Sequence, residues 1–286
     1  MKNHQVFSEG NVALVTGAAD GIGLAASSRF ARMGLSVVMV DINSEKLSSA
    51  FHSVEEVACK GARIEVQSLD VSDFEKFKDF SSEILSKFDR IDILMNNAGR
   101  SGHTGAFDCL DVWKEIVDVN LWGIIHGMTL FTQAMIDQGE PAIIINTGSK
   151  QGITNPPGNP AYNVSKAGVK VATESLAYSL RNIEGCQVSA HLLVPGFTYT
   201  GLIKAMGASE KPDAAWSADQ VVEYMIGHIN LGSFYIICPD NDVSEKEDAK
   251  RITWSAGDLV HRRPALSRWH PEHEEEFKAF EIRQAW

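Results

Sequence analysis

Short, mostly apolar runs recur along the chain at residues 11–16, 35–40, 91–95, 142–145, 191–194 (part of a longer run from 188) and 234–238. They lack the strict alternation of a half-exposed strand, so they read as strands buried on both faces, the condition of a parallel sheet covered by helices. Segments of helical pattern separate them, with long helices expected over 108–137 and 159–183. Asn159 suits the N-cap of the second and Pro160 its first turn, where a missing N–H costs nothing. Strand and helix alternate to about residue 238, without a linker, an internal repeat or a low-complexity tract. The pattern predicts an α/β fold with one doubly wound parallel sheet of Rossmann type, a single domain over residues 1–240 followed by an extension, 241–286.

The first strand leads into Gly17-Ala18-Ala19-Asp20-Gly21-Ile22-Gly23 and then into a helix-forming stretch, 24–33. A turn without side chains lets backbone N–H groups reach a pyrophosphate, and the helix beyond presents its positive end to that anion. The second strand ends in Asp41, where an acid that binds a ribose belongs. Strand, glycine turn, helix, strand and acid together predict a dinucleotide site.

Further along stand Asn120, Ser149, Tyr162 and Lys166. These residue types can move a proton onto or off an alcohol oxygen while a hydride moves at the adjoining carbon. Residues four apart share a helix face, which places Lys166 beside Tyr162. A free tyrosine titrates near pH 10, so action near neutrality requires about 4 kcal/mol of preferential stabilisation of the phenolate. The Lys166 cation and the positive ring of an oxidised nicotinamide are the expected sources.

Composition narrows the partners. A net charge of −11, with acids spread along the chain, argues against nucleic acid. No stretch approaches the roughly 20 apolar residues of a membrane span, so a soluble cytoplasmic protein is expected. Cys59, Cys109, Cys186 and Cys238 lie far apart, which suits a reducing compartment. His261, His270 and His273 gather near the C-terminus, but the spacing is not that of a preformed metal site and no metal is expected.

The segment from Thr16 to Gly23, Asn96-Asn97-Ala98-Gly99, Asn120, Ser149, Tyr162 with Lys166, and Pro195-Gly196 stand in the order and spacing of one family. Over roughly residues 10 to 200 the chain resembles the short-chain dehydrogenase/reductase family in its single-domain, NAD-dependent branch. The resemblance implies that Tyr162 is the base in alcohol oxidation and the acid in carbonyl reduction. It implies that Ser149 holds the reacting oxygen, that Lys166 also binds the nicotinamide ribose, and that Asn120 holds a water of a proton relay. NAD would be held by Gly17, Asp20, Gly21, Ile22, Gly23, Asp41, Ile42, Asp70, Val71, Asn97, Ala98, Gly99, Tyr162, Lys166, Pro195, Gly196, Thr198 and Thr200. Asp41, with Asp20 adding negative charge, would disfavour a 2′-phosphate.

The expected activity is hydride transfer between NAD(H) and a secondary alcohol or ketone, apolar and fairly bulky. The alternatives are a biosynthetic ketone reductase of 3-oxoacyl type and a non-catalytic NAD-binding scaffold. Residues 100–112, 150–161 and 197–216 would build the substrate pocket, with Phe107, Ile153, Met206 and Trp216 as its apolar walls. Relatives pair through their two long helices, so a homodimer or homotetramer is expected, with Val164, Gly168, Val171 and Ala172 at the contact. Trp254, Trp269 and Trp286 lie in the extension, which is expected to dock and to cover part of the substrate entrance, since tryptophan favours cores and interfaces.

Overall fold

A computed structural model of the chain describes residues 4–201, 203, 207 and 210–283. Seven strands form one sheet: β1 Val12–Thr16, β2 Ser36–Asp41, β3 Ile64–Ser68, β4 Ile93–Asn96, β5 Ala142–Thr147, β6 Val188–Val194 and, after two short strands, β9 Tyr235–Ile237. Their order across the sheet is β3-β2-β1-β4-β5-β6-β9 and every neighbouring pair is parallel. The order reverses direction between β1 and β4, so a crevice opens there beyond the carboxyl ends of the strands, where ligands bind in such sheets. The short strands β7 Thr198–Tyr199 and β8 Trp216–Ser217 pair separately.

The helices are α1 Gly21–Arg32, α2 Ser44–Val57, α3 Phe74–Phe88, α4 Leu110–Val117, α5 Gly123–Asp137, α6 Gln151–Thr154, α7 Pro160–Arg181, α8 Ala218–Asn230, α9 Glu245–His261 and α10 Glu274–Arg283. Successive side chains of a strand point to opposite faces, and the core divides accordingly. Ala13, Val15, Val37 and Met39 pack with α1, α2 and α8, while Val12, Leu14, Val38 and Val40 pack with α3, α5 and α7. Both layers are dry, which is why these strands read as unbroken apolar runs.

Edge strand β3 escaped the apolar pattern because only its first residues are partly covered. Val66 is 42% exposed, and Glu65, Gln67 and Ser68 are polar. The helix expected over 108–137 begins at Leu110 and is interrupted by a π turn, Asp118–Trp122. The helix of Tyr162 begins as its sequence predicts: the Asn159 side chain accepts from the Tyr162 N–H and Pro160 occupies the first turn. In the extension, α9 and α10 enclose Trp254, which is 2% exposed. Its indole N–H donates to Ser267 at 2.8 Å, the Arg263 guanidinium lies 3.7 Å from its ring centre, and the rings of Phe277 and Phe280 meet it edge-on. Among the described residues no helix is long and apolar enough to cross a membrane. Met206 and Trp286 lie outside the described residues.

Candidate active site

The glycine turn between β1 and α1 is shaped by close approach. Gly17 and Gly21 hold positive φ of 66° and 54°, a region that favours glycine. A Cβ on Gly17 would come within 2.8 Å of the Ala98 backbone, and one on Gly23 would run into the Gly17 carbonyl oxygen. The turn therefore seats α1 directly against the ends of β1 and β4, with the unpaired N–H groups of its first turn toward the crevice. This is a cradle that side chains would fill, and it fits an anionic pyrophosphate.

At the end of β2, the Asp41 carboxylate accepts from the backbone N–H groups of Ala19 at 3.1 Å and Asn43 at 2.9 Å. Both bonds come from backbone, so the acid is aimed by the fold. Asp20 behaves differently. Its side chain caps α1 through the Gly21 N–H at 2.7 Å and pairs with Lys46 at 3.2 Å. The extra negative charge expected of Asp20 is thus offset by Lys46.

The other end of the crevice gathers Ser149 from the turn after β5, Tyr162 and Lys166 from α7, and Asn120 from the π turn. The phenol of Tyr162 is partly exposed to the crevice and hydrogen-bonds Ser149. Burial pushes its pKa up from the usual tyrosine range and the Ser149 bond opposes this. Lys166 is 3% exposed, donates to the Thr147 carbonyl at 2.8 Å, and lies 5.7 Å from the Tyr162 ring centre. Burial lowers its pKa to about 8. In the chain by itself burial therefore favours the protonated phenol.

Asn120 is fully buried with its side-chain amide already engaged. Its Oδ1 accepts from the Arg100 N–H at 2.7 Å, and its Nδ2 donates to the Arg100 carbonyl at 3.0 Å and to Ser165 at 3.1 Å. The side chain thus clamps the strand end beside Gly99, where a Cβ would lie 3.6 Å from Lys166 Nζ.

A crevice of about 850 Å³ joins the two ends. Of the expected site residues, Gly17, Asp20, Gly21, Ile22, Asp41, Asn97, Gly99, Ser149, Tyr162, Lys166, Pro195, Gly196, Thr198 and Thr200 line it. Gly23, Ala98 and Asn120 stand behind the wall as packing or positioning groups. Ile42 is 66% exposed at the rim side of β2, Val71 is buried under Gly123, and Asp70 accepts from the Ser72 N–H and hydroxyl. The sequence reading missed Asn43, Lys46, Thr147 and Gly148, all of which line the crevice within four positions of an expected residue in the chain.

The expected apolar walls need correction. Phe107 is 98% exposed, Ile153 packs against Val169 and Leu192 beneath α6, and Trp216 joins the α1 and α8 core with its ring against Tyr224. The apolar lining instead comes from Pro156, Pro157, Phe197 and Ile203. Among the described residues, none of the extension lines the crevice.

Comparison with known proteins agrees with this geometry. Residues 11–211 match the family described as short chain dehydrogenase. The 1-deoxy-11-beta-hydroxypentalenate dehydrogenase of Streptomyces avermitilis is 31% identical over 231 residues, 79% of this chain and 83% of that protein. A short chain dehydrogenase/reductase from Burkholderia phymatum, solved in complex with NAD, superposes with a TM-score of 0.78 at 26% identity, covering 89% of this chain and 96% of that one. A metagenomic short-chain oxidoreductase in complex with NADP gives a TM-score of 0.68 at 26% identity, with 82% and 98% covered.

Proposed function

The chain belongs to the short chain dehydrogenase family, and we propose that it is an NAD-dependent dehydrogenase of secondary alcohols, or in reverse a reductase of the matching ketones, acting on an apolar and fairly bulky substrate. The observation that carries this reading is the single crevice with the glycine cradle and Asp41 at one end and Ser149, Tyr162 and Lys166 at the other. When bound, the nicotinamide dinucleotide accepts or returns the hydride.

In this reading the chain's own groups handle the proton. Tyr162 gives its hydroxyl proton to the carbonyl oxygen in reduction and takes the alcohol proton in oxidation. Ser149 hydrogen-bonds the same oxygen and keeps it within reach of the phenol. Lys166, cationic below about pH 8, stabilises the phenolate and binds the nicotinamide ribose. Asn120 fixes Arg100 and so the Gly99 backbone beside Lys166. Burial favours a protonated Tyr162, so the base form needs both the Lys166 charge and the positive ring of the oxidised cofactor.

The preference for NAD rests on Asp41, whose carboxylate suits two ribose hydroxyls and repels a 2′-phosphate. Asp20 does not add to it, because Lys46 balances its charge. Pro156, Pro157, Phe197 and Ile203 support an apolar substrate, and the Streptomyces relative is named as a dehydrogenase of 1-deoxy-11-beta-hydroxypentalenate. The four cysteines are free thiols, which supports the cytoplasm as compartment.

A homodimer through α5 and α7 is part of this reading. Trp122, Val164, Val171 and Tyr178 stand 49%, 50%, 59% and 61% exposed, an apolar set that pairing would cover. Gly168 does not belong to that face, because it packs against Leu121 within the chain.

The test is oxidation of a panel of secondary alcohols with NAD or NADP, followed as formation of reduced cofactor. Turnover of a bulky member with NAD, at higher efficiency than with NADP, is the expected result. Equal efficiency with both cofactors overturns the NAD assignment, and no turnover of any member overturns the alcohol assignment.

A further inference from the structure

Ser149 is followed by Lys150, whose side chain is largely buried. It is 19% exposed and ion-paired with Asp240 at 3.3 Å and Asp248 at 2.6 Å, carboxylates themselves 6% and 7% exposed. Each member comes from a different segment: Lys150 from the turn between β5 and α6, Asp240 from the turn after β9, and Asp248 from the first turn of α9. Burying three charges is costly, and such a cluster adds little to stability compared with apolar packing. The Asp248 carboxylate shows the strain, since burial pushes its pKa up against the pull of Lys150.

Two of the three segments reach the crevice wall, the turn of Lys150 directly and that of Asp240 through Gly196 and Phe197. Asp240 Oδ2 also accepts from the Phe197 N–H at 3.0 Å, and a Cβ on Gly196 would lie 2.8 Å from it. Asp240 therefore sets the backbone of the Pro195-Gly196-Phe197 wall. The Lys150 carbonyl accepts from Ile153 and Thr154 at 3.0 Å, and Ser149 Oγ accepts from the Gln151 N–H at 3.2 Å, so Lys150 sits in the same tight turn as the Ser149 hydroxyl. Gly152 of that turn lies directly on the Lys166 backbone. On the far side, α9 is held by the Trp254 cluster of the extension. Among the described residues the extension lines no part of the crevice, yet it is wired to two of its walls.

We propose that Asp248 is a positioning residue which, through Lys150 and Asp240, holds the Ser149 turn and the Gly196-Phe197 wall in register, so that the C-terminal extension completes an active site it does not line. The proposal rests on the dehydrogenase reading for its kinetic consequence. Its structural consequence, ordering of two loops from a third segment, is independent of turnover.

The experiment uses full-length Asp248→Asn, Lys150→Met and the double variant, with cyclohexanol and isopropanol as probes, and measures hydrogen exchange alongside kcat and the NADH dissociation constant. Asp248→Asn is expected to lower kcat about tenfold or more, the scale of a small misplacement of a catalytic group, with a smaller loss of NADH affinity, since Gly196 also belongs to the expected cofactor wall. Peptides covering residues 148–154 and 196–199 should exchange faster, while those of α1 should not. Asp248→Glu should recover part of the loss. The double variant should be no slower than Lys150→Met, because both changes break one connection.

A folded Asp248→Asn protein in which either kcat or exchange in those peptides stays at the wild-type value overturns the proposal, as does a double variant whose loss is the product of the single losses. Should Asp248→Asn fail to fold, the double variant, which leaves no unpaired lysine, gives the same two readouts against Lys150→Met. Tyr162→Phe in the same assay separates the two layers of the argument. Full turnover there overturns the catalytic reading, whereas its loss together with normal Asp248→Asn behaviour overturns only the positioning role.

Discussion

The two ends of the crevice are built on different principles. The Asp41 end comes mainly from one stretch, residues 16–46, closed by Asn97-Ala98, and its shape is set largely by backbone: glycines at positive φ and an N–H pair aiming Asp41, with Lys46 answering Asp20. The Tyr162 end is gathered from β5, the π turn, α7 and, at second remove, Asp240 and Asp248. Burial sets its chemistry, raising Tyr162 and lowering Lys166 to about 8. An open, backbone-made end suits recognition of a constant cofactor. An enclosed end can shift protonation, because removing water is what moves these groups.

The sharpest way to break this contrast is Tyr162→Phe. If proton transfer belongs to the enclosed end, turnover should fall at least about 10²-fold while NADH binding, followed by its fluorescence, changes little. Retained turnover would remove the distinction between a binding end and a chemical end.

The second probe concerns the buried lysine. A Lys166 pKa lowered from 10.5 to about 8 means that between those values the folded chain has released a proton the unfolded chain still holds. Stability of the cofactor-free protein should therefore rise with pH through that window, by up to about 3 kcal/mol from this group. Tyr162, raised by burial, opposes the trend only above the ordinary tyrosine pKa near 10. Urea unfolding of wild type and Lys166→Met from pH 7 to about pH 10 reads the difference, and the variant should lack this share of the rise. Identical slopes would show that Lys166 titrates as if solvated.

At the open end the expected effect is smaller. Asp41→Ala should reduce the ratio of NAD to NADP efficiency about tenfold or somewhat more, the worth of charged hydrogen bonds and a like-charge clash. Removing Lys46 instead should expose the charge of Asp20 and raise that ratio slightly. An Asp41→Ala enzyme with an unchanged ratio would move cofactor choice elsewhere.

The mildest probe lies outside the crevice. Val171→Lys places a charge on the exposed α7 face and should weaken the dimer about fivefold, the order of a modest interface residue, as read by light scattering across a dilution series. A wild-type mass near the 31.3 kDa of one chain would show that the face is not a contact.

The same contrast governs what could be read before folding. The glycine turn, Asp41, the cap at Asn159 and the four-residue step from Tyr162 to Lys166 depend on neighbours in the chain, so residue type and spacing determined them. Six of the seven sheet strands announced themselves because burial on both faces writes apolar runs into the sequence. β3 did not, since an edge strand needs little apolar cover and three of its five residues, Glu65, Gln67 and Ser68, are polar. The π turn at Asn120, the neutralising of Asp20 by Lys46 and the inward packing of Ile153 and Trp216 depend on segments that meet only in three dimensions. The protonation of Lys166 and the Lys150, Asp240 and Asp248 cluster belong with them: a pKa is set by how much water surrounding segments exclude, and a buried ion pair by which distant segments the packing brings within 4 Å of one another. Local geometry and periodicity thus determined the fold and the residue types of the candidate site, while the tertiary structure alone decided their electrostatics and the ion pairs that join the C-terminal extension to the turn after β5.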